Sequence, residues 1–277
     1  MFFFLLNYKK DTNNVNCLLY LAKSFEKLNE HPKAIITVKK ACMLDPENGN
    51  LFYYLGKLLY KNNIYDSALE KLSKAIKLNP LDGKSLIYLS LCKVKNPNTK
   101  CDIDEIKHIV DKGLNLLSND IKFQRLGRFL IAEEMEKENR FNEAIEAYER
   151  IFKYLGNDQL AVLNKIGQLY LKTKDFSNAL STYLKVFQLD QKNNEVVLQI
   201  AVLFSFMGKF NDSLKFFKYS IEIDPINSHS LVMISRIYRD KYRMLESALE
   251  HLQKALSFHR SPLIMYEVYL SDCFNFL

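Results

Sequence analysis

The residues of this sequence that could act together in chemistry are few. Asp104 and His108 stand four apart, which on a helix places a carboxylate and an imidazole on one face, with Cys101 just ahead of them. Such a trio could hold a metal ion or work as an acid–base pair. Pairs at this spacing are common on helix surfaces, and a solvated face is the simpler reading. The five histidines (His31, His108, His229, His251 and His259) make no HExxH motif. The eight glycines never lie closer than seven residues apart, which excludes glycine-rich phosphate loops and the nucleophile elbow. The cysteines, Cys17, Cys42, Cys92, Cys101 and Cys273, are odd in number and form no CxxC pair. They read as reduced thiols of an intracellular protein, cytoplasmic or nuclear. No catalytic residue, cofactor or metal is expected, and the chain reads as a non-enzyme.

The elements that carry these residues must be helices. In 277 residues there are only 8 glycines and 6 prolines, too few turn formers for a strand-rich chain. The longest apolar stretch, Val196 to Met207, contains Gln199 and Ser205 and is too short to span a bilayer. The opening Met-Phe-Phe-Phe-Leu-Leu lacks a basic leader region, so a signal peptide is not expected. Net charge is +7 and the isoelectric point about 8.9, but no Lys/Arg run exceeds two residues. Charge spread in this way fits solvated helix surfaces better than a nucleic-acid patch.

A repeat organises the whole sequence. Asp45-Pro46 returns 34 residues later as Asn79-Pro80, and Asp224-Pro225 has the same form. Numbered from Gly49, one repeat places Phe52, Leu55, Gly56, Leu59, Ala68, Leu72, Ala75 and Pro80 at positions 4, 7, 8, 11, 20, 24, 27 and 32. Position 8 recurs as Ala22, Gly56, Ser90, Ala132, Gly167, Ala201 and Ser235, all small. Position 20 is Ala34, Ala68, Ile106, Ala144, Ala179, Ser213 and Ala248, and position 24 is bulky throughout. This pattern resembles the tetratricopeptide repeat over about 90% of the chain.

The resemblance implies an all-α fold, a right-handed superhelical solenoid of antiparallel helix hairpins, helix A then helix B. About seven repeats are expected, near 15–48, 49–82, 83–120, 121–157, 158–193, 194–227 and 228–261. Residues 1–14 read as a half-repeat, the end of a helix B, and 262–277 as a final helix opened by Ser261-Pro262. The third repeat departs from the pattern: Lys93 replaces an apolar residue at position 11, and Asn96-Pro97-Asn98-Thr99 lengthens the turn between its helices. Its helix B restarts at Asp102, with Glu105 placed as in a capping box. The seventh repeat carries one extra residue before Ala248.

In the resembling family, helix A lines a concave groove from positions 2, 5, 9, 12 and 13. Carried over, the first half of the chain offers Lys23, Tyr53, Lys57, Tyr60 and Lys61, with Leu19, Lys27, Asn50, Lys84 and Lys95 beside them. Lysines at position 13 are favoured by the helix dipole whatever the ligand, an explanation that does not reach Lys23, Tyr53 or Lys57. The sixth repeat offers an apolar strip of Leu198, Val202 and Phe206, rimmed by Asn164, Gln168, Arg236 and Arg239. It suits a partner's hydrophobic anchor, and equally a covering by the final helix or a neighbouring chain. The carboxylate-clamp residues by which some family members hold chaperone tails are not supplied by any three consecutive repeats.

The function implied is a protein–protein interaction scaffold or adaptor, a subunit of a larger assembly that receives an extended or helical segment in its groove. The apolar end helices also admit self-association. Two alternatives stand beside it. One is an RNA-binding helical-hairpin array, suggested by the positive charge but opposed by the small-residue pattern. The other is the targeting region of a larger enzyme.

Overall fold

The computed structural model describes residues 13–99, 101–156 and 159–275. The half-repeat expected at Met1 to Lys10 lies outside them. The described residues form fifteen α-helices and no strand. They belong to two compact units, one ending at Leu155 and the other beginning at Gly156.

The first unit contains α1 (Val15–Lys27), α2 (His31–Leu44), α3 (Gly49–Lys61), α4 (Tyr65–Leu78), α5 (Gly83–Lys95), α6 (Ile103–Leu116), α7 (Ile121–Lys137) and α8 (Phe141–Ile151), closed by a 3-10 turn. The second contains α9 (Gln159–Lys172), α10 (Phe176–Leu189), α11 (Asn194–Phe206), α12 (Phe210–Ile223), α13 (Ser228–Ile237), α14 (Leu245–Phe258) and α15 (Pro262–Asn275). In each unit the helices pair as hairpins, and each hairpin packs on the next. This is the helical-repeat architecture expected from the sequence.

Local signals set the boundaries. Five first helices are capped by Asn or Asp: Asn14, Asp82, Asp120, Asn193 and Asn227 each accept a hydrogen bond from a backbone N–H in the first turn, whereas Asn48 before α3 makes no such bond. The turn between the two helices needs a left-handed residue at position 15. Asn29, Asn63 and Asn139 adopt φ 60°, Lys174 61° and Gly208 73° there. Each turn is closed by a bond from the next residue back to the carbonyl five earlier, for example Glu30 N to Phe25 O at 2.9 Å and Lys209 N to Phe204 O at 2.9 Å. In the seventh repeat the extra residue is absorbed by a π turn over Tyr238–Tyr242, and Arg243 takes the left-handed role at φ 56°.

The third repeat solves the same problem differently. Asn96 is buried, donates to Asp66 Oδ1 at 2.7 Å and accepts from Asn98 N at 3.0 Å, so its side chain ties the long turn to the preceding hairpin. Asp102 caps α6. Glu105 does not return to the cap as a capping box would; it pairs with Lys93 at 2.5 Å. That pairing satisfies the cation standing at an apolar position.

The hairpin cores meet at the small positions. Ala22, Ala132 and Ala201 at position 8, and Ala34, Ala68, Ala144, Ala179 and Ala248 at position 20, are fully buried. A Cβ on Gly56 would lie 2.6 Å from Leu72 Cγ, and one on Gly167 2.8 Å from the Tyr183 ring, so position 24 fills the space that position 8 leaves. Where serine replaces alanine its hydroxyl is satisfied: Ser213 donates to Ala201 O at 2.7 Å, and Ser220 and Ser230 share a bond at 2.8 Å.

The substitution Gly56→Ala is therefore expected to lower stability. Overpacking against Leu72 costs about 1–3 kcal/mol, more than the roughly 1 kcal/mol that alanine gains over glycine in a helix. Gly208→Asn, at a left-handed position with nothing within 4 Å of a built Cβ, is expected to stay within about 1 kcal/mol of the parent. Urea denaturation midpoints of the two variants check both.

Candidate functional site

The residues proposed for the groove fall in both units. In the first unit, Glu26 of α1 organises three of its neighbours on α3. Tyr54 Oη donates to Glu26 Oε2 at 2.7 Å, while Lys61 Nζ lies 2.5 Å and Lys57 Nζ 3.4 Å from Glu26 Oε1. Burial alone would raise this carboxyl. The hydrogen bonds from Lys61 and Tyr54 and the charge of Lys57 outweigh it and hold the pKa at about 2. Lys57 and Lys61 thus join two hairpins through one carboxylate. Tyr53 and Tyr60 stand on either side of Tyr88 of α5, ring centroids 5.8 and 5.7 Å away in edge-to-face contact. Lys23 is exposed, with its Nζ 5.4 Å from the Tyr20 ring centroid.

A cleft of about 420 Å³ opens on the face made by α3, α5 and α7, the first helices of three successive hairpins. Tyr60 stands at its edge. Its apolar lining comes mainly from Leu91, Val94, Leu126 and Phe129, and Lys95 and Lys122 flank it. Both lysines are exposed and carry no ion pair; Arg125, Glu133 and Glu134 also line the cleft, and Glu134 is paired with Lys137. Sequence reasoning placed Tyr60 and Lys95 in the groove but passed over the four apolar residues. Positions 9 and 12 of the third repeat and 2 and 5 of the fourth are apolar, the same signal that singled out the sixth repeat.

In the second unit the proposed residues are largely engaged within the protein. Leu198 and Val202 are half-buried against Ala201, Leu214, Phe217, Ile234 and Ile237, so much of the apolar strip serves hairpin packing. Phe206 stacks flat on Phe176, centroids 5.6 Å apart, and remains 71% exposed. Gln168 is exposed, and Asn164 on the same helix is half-buried with its Oδ1 lacking a hydrogen-bond partner. Arg236 and Arg239 do not form an open rim. Glu267 of α15 accepts from Arg236 Nη2 at 2.5 Å and from Arg239 Nη1 at 2.8 Å, and Arg239 also meets Asp240 at 2.7 Å. The two arginines hold the Glu267 carboxyl below its usual range against the opposing effect of burial.

The Asp104–His108 pair has a structural explanation as well. Arg140 Nη1 binds Asp104 Oδ1 at 3.0 Å, and no cluster of three metal-ligating side chains occurs among the described residues. Burial pushes the Cys42 and Cys92 thiols up to about 11 and about 12, which removes thiolate reactivity. No described helix is long and apolar enough to cross a membrane.

Two outcomes are expected. Glu26→Gln is expected to cost about 1–3 kcal/mol at neutral pH, the range for hydrogen bonds to a charged group. Because the folded-state pKa is depressed from 4.5 to about 2, this stabilisation is complete above pH 4.5 and is lost as pH falls towards 2. Denaturation curves of parent and variant should converge over that window. Glu267→Ala removes the carboxylate shared by Arg236 and Arg239, leaving buried Arg239 with Asp240, and is expected to cost about 1–3 kcal/mol, the range for hydrogen bonds to a charged group. Amide hydrogen exchange should rise first in α15, and the pair Glu267→Leu with Arg239→Met should recover part of the loss.

Comparisons with known proteins agree with this architecture. The family model described as tetratricopeptide repeat matches residues 49–82, and a second model of that description matches 160–193. No curated protein matches the sequence. Among solved structures, the C-terminal part of a TPR repeat-containing protein from Cytophaga hutchinsonii superposes with a TM-score of 0.68 at 14% identity, covering 90% of this chain and 99% of that one. A tetratricopeptide repeat protein from Parabacteroides merdae gives 0.52 at 13% identity, covering 93% and 98%. These likenesses are of fold. With two hairpins matched by family models and the same small-residue register at the other crossings, the chain is a tetratricopeptide-repeat protein, of the class that builds protein-interaction scaffolds.

Proposed function

We propose that the protein is a scaffold or adaptor that seats a short segment of a partner protein on the α3–α5–α7 face of its first unit. The cleft among Leu91, Val94, Leu126 and Phe129 carries this reading. An apolar recess edged by unpaired lysines suits a partner whose hydrophobic anchor fills the recess and whose carboxylates meet Lys95 and Lys122. Phe129 has one edge against Tyr148, centroids 6.1 Å apart, which fixes its ring without covering it. A rigid aromatic wall needs little ordering when a ligand arrives.

The groove lysines of the first two repeats have a smaller role in this reading. Lys57 and Lys61 are committed to Glu26, and a ligand carboxylate would have to compete with it. Lys23 remains exposed for a longer partner segment. The exposed face of Phe206 offers the second unit a separate aromatic contact.

Panning a peptide library on the full chain tests the proposal. The selected sequences are expected to share an apolar anchor beside acidic residues. Phe129→Glu is expected to weaken them by about ten- to a hundredfold, as loss of an anchoring contact does. Lys95→Glu with Lys122→Glu is expected to slow association and flatten its salt dependence. Selected peptides that bind all these variants as tightly as the parent would place the site elsewhere.

A further inference from the structure

A row of rings crosses the first helices of three hairpins. Tyr53 and Tyr60 of α3 flank Tyr88 of α5, centroids 5.8 and 5.7 Å away, and Tyr88 meets Phe123 of α7 at 6.1 Å. Tyr60 also edges the apolar cleft, so the row and the cleft share one face. Two neighbouring tyrosine hydroxyls are used inside the protein: Tyr54 donates to Glu26 Oε2 at 2.7 Å and Tyr65 to Asn63 Oδ1 at 2.8 Å. The hydroxyls of Tyr53, Tyr60 and Tyr88 make no hydrogen bond among the described residues. Tyr88 is only 7% exposed, yet its hydroxyl still reaches solvent. A ring so enclosed holds its free donor in a fixed place on the face. Burial raises all three phenols, Tyr88 to about 12, so at neutral pH each remains a protonated donor.

We propose that these three hydroxyls donate to main-chain carbonyls of the partner segment, which lies on the α3–α5–α7 face in extended form with its apolar anchor in the cleft. The inference rests on the cleft reading above and adds to it the form of the ligand. Carbonyls along one edge of an extended chain recur every second residue, about 6.6 Å apart. The rings of Tyr60, Tyr88 and Tyr53 follow one another at nearly that interval. A helical segment keeps its carbonyls in its own hydrogen bonds and would leave the three donors unanswered. Charge selects an uncharged acceptor. The carboxylates of Asp82, Asp120 and Glu26 act on Tyr53, that of Glu26 on Tyr88 and that of Glu133 on Tyr60. Lys57 and Lys61 are committed to Glu26, and Lys84 lies 5.8 Å from the Phe123 ring centroid. A phosphate or carboxylate at the tyrosines would be repelled by these acids, a cost that an amide carbonyl largely escapes. Bonds of this kind read main chain, which leaves the choice of sequence to the anchor and its flanking acids.

Peptides selected by panning on the full chain are the probe. The triple variant Tyr53→Phe, Tyr60→Phe, Tyr88→Phe keeps the rings and removes only the hydroxyls. It is expected to melt as the parent does, because those hydroxyls bond to nothing within the protein, and to bind the peptides about ten- to two-hundredfold more weakly. Esters placed one at a time along a peptide, whose carbonyls accept poorly, are expected to weaken binding to the parent at alternate residues and to have little effect on the triple variant. A triple variant that binds as tightly as the parent, while Phe129→Glu does not, overturns this inference and leaves the cleft reading standing. Esters that cost nothing at any position, or a peptide whose circular dichroism turns helical on binding, overturn it as well. Peptides that bind Phe129→Glu as tightly as the parent, or a panning that selects none, overturn the cleft reading and this inference with it.

Discussion

Two helices can share a core at close range only where one of them has almost no side chain at the crossing. Everything else in this protein depends on that steric condition. Gly56 and Gly167 leave room for Leu72 and Tyr183, and the buried alanines of α2, α4, α8, α10 and α14 do the same from the other side. Once each pair is locked, its outer apolar positions need the next pair, and the hairpins accumulate as a stack. Within each unit the first helices of successive hairpins then lie side by side. No catalytic constellation has to be assembled in such a design. What it offers a partner is a run of side chains at fixed spacing.

The charges are disposed in keeping with this. Lysine is abundant, but much of it works inside the array: Lys57 and Lys61 meet Glu26 across two hairpins, Lys93 meets Glu105 across a lengthened turn, and Lys74 lies 4.1 Å from the Phe52 ring centroid. In the second unit Arg236 and Arg239 hold α15 by way of Glu267. A count of cations along the sequence therefore overstates the positive surface open to a ligand. Lys95 and Lys122 carry weight in the proposed reading because they are unpaired and flank an apolar recess.

Much of the fold was legible in the sequence because its determinants are local and periodic. Small residues at positions 8 and 20 and Asp-Pro or Asn-Pro at the hairpin ends recur at fixed spacing. The left-handed turn at position 15 was legible in principle from Asn29, Asn63 and Asn139, but Lys174 in the same role gives no such hint. The candidate site was less legible because its partners are distant in the chain. Glu26 is 35 residues from Lys61, and Glu267 is 31 from Arg236, so nothing in the local pattern announces either pair. Phe129 and Leu126 were hidden for another reason: an apolar residue on a first helix reads as core until the structure shows which side of the helix stays open.

Side-chain methyl spectra during titration with a peptide selected on the protein test the central claim most directly. The account predicts that the resonances of Leu91, Val94 and Leu126 shift with a single dissociation constant while those of Leu72 and Val110, buried at the hairpin crossings, stay in place. Shifts confined to α2, α4, α6 and α8, with the α5 and α7 methyls unmoved, would contradict it and assign partner binding to the opposite face of the hairpins.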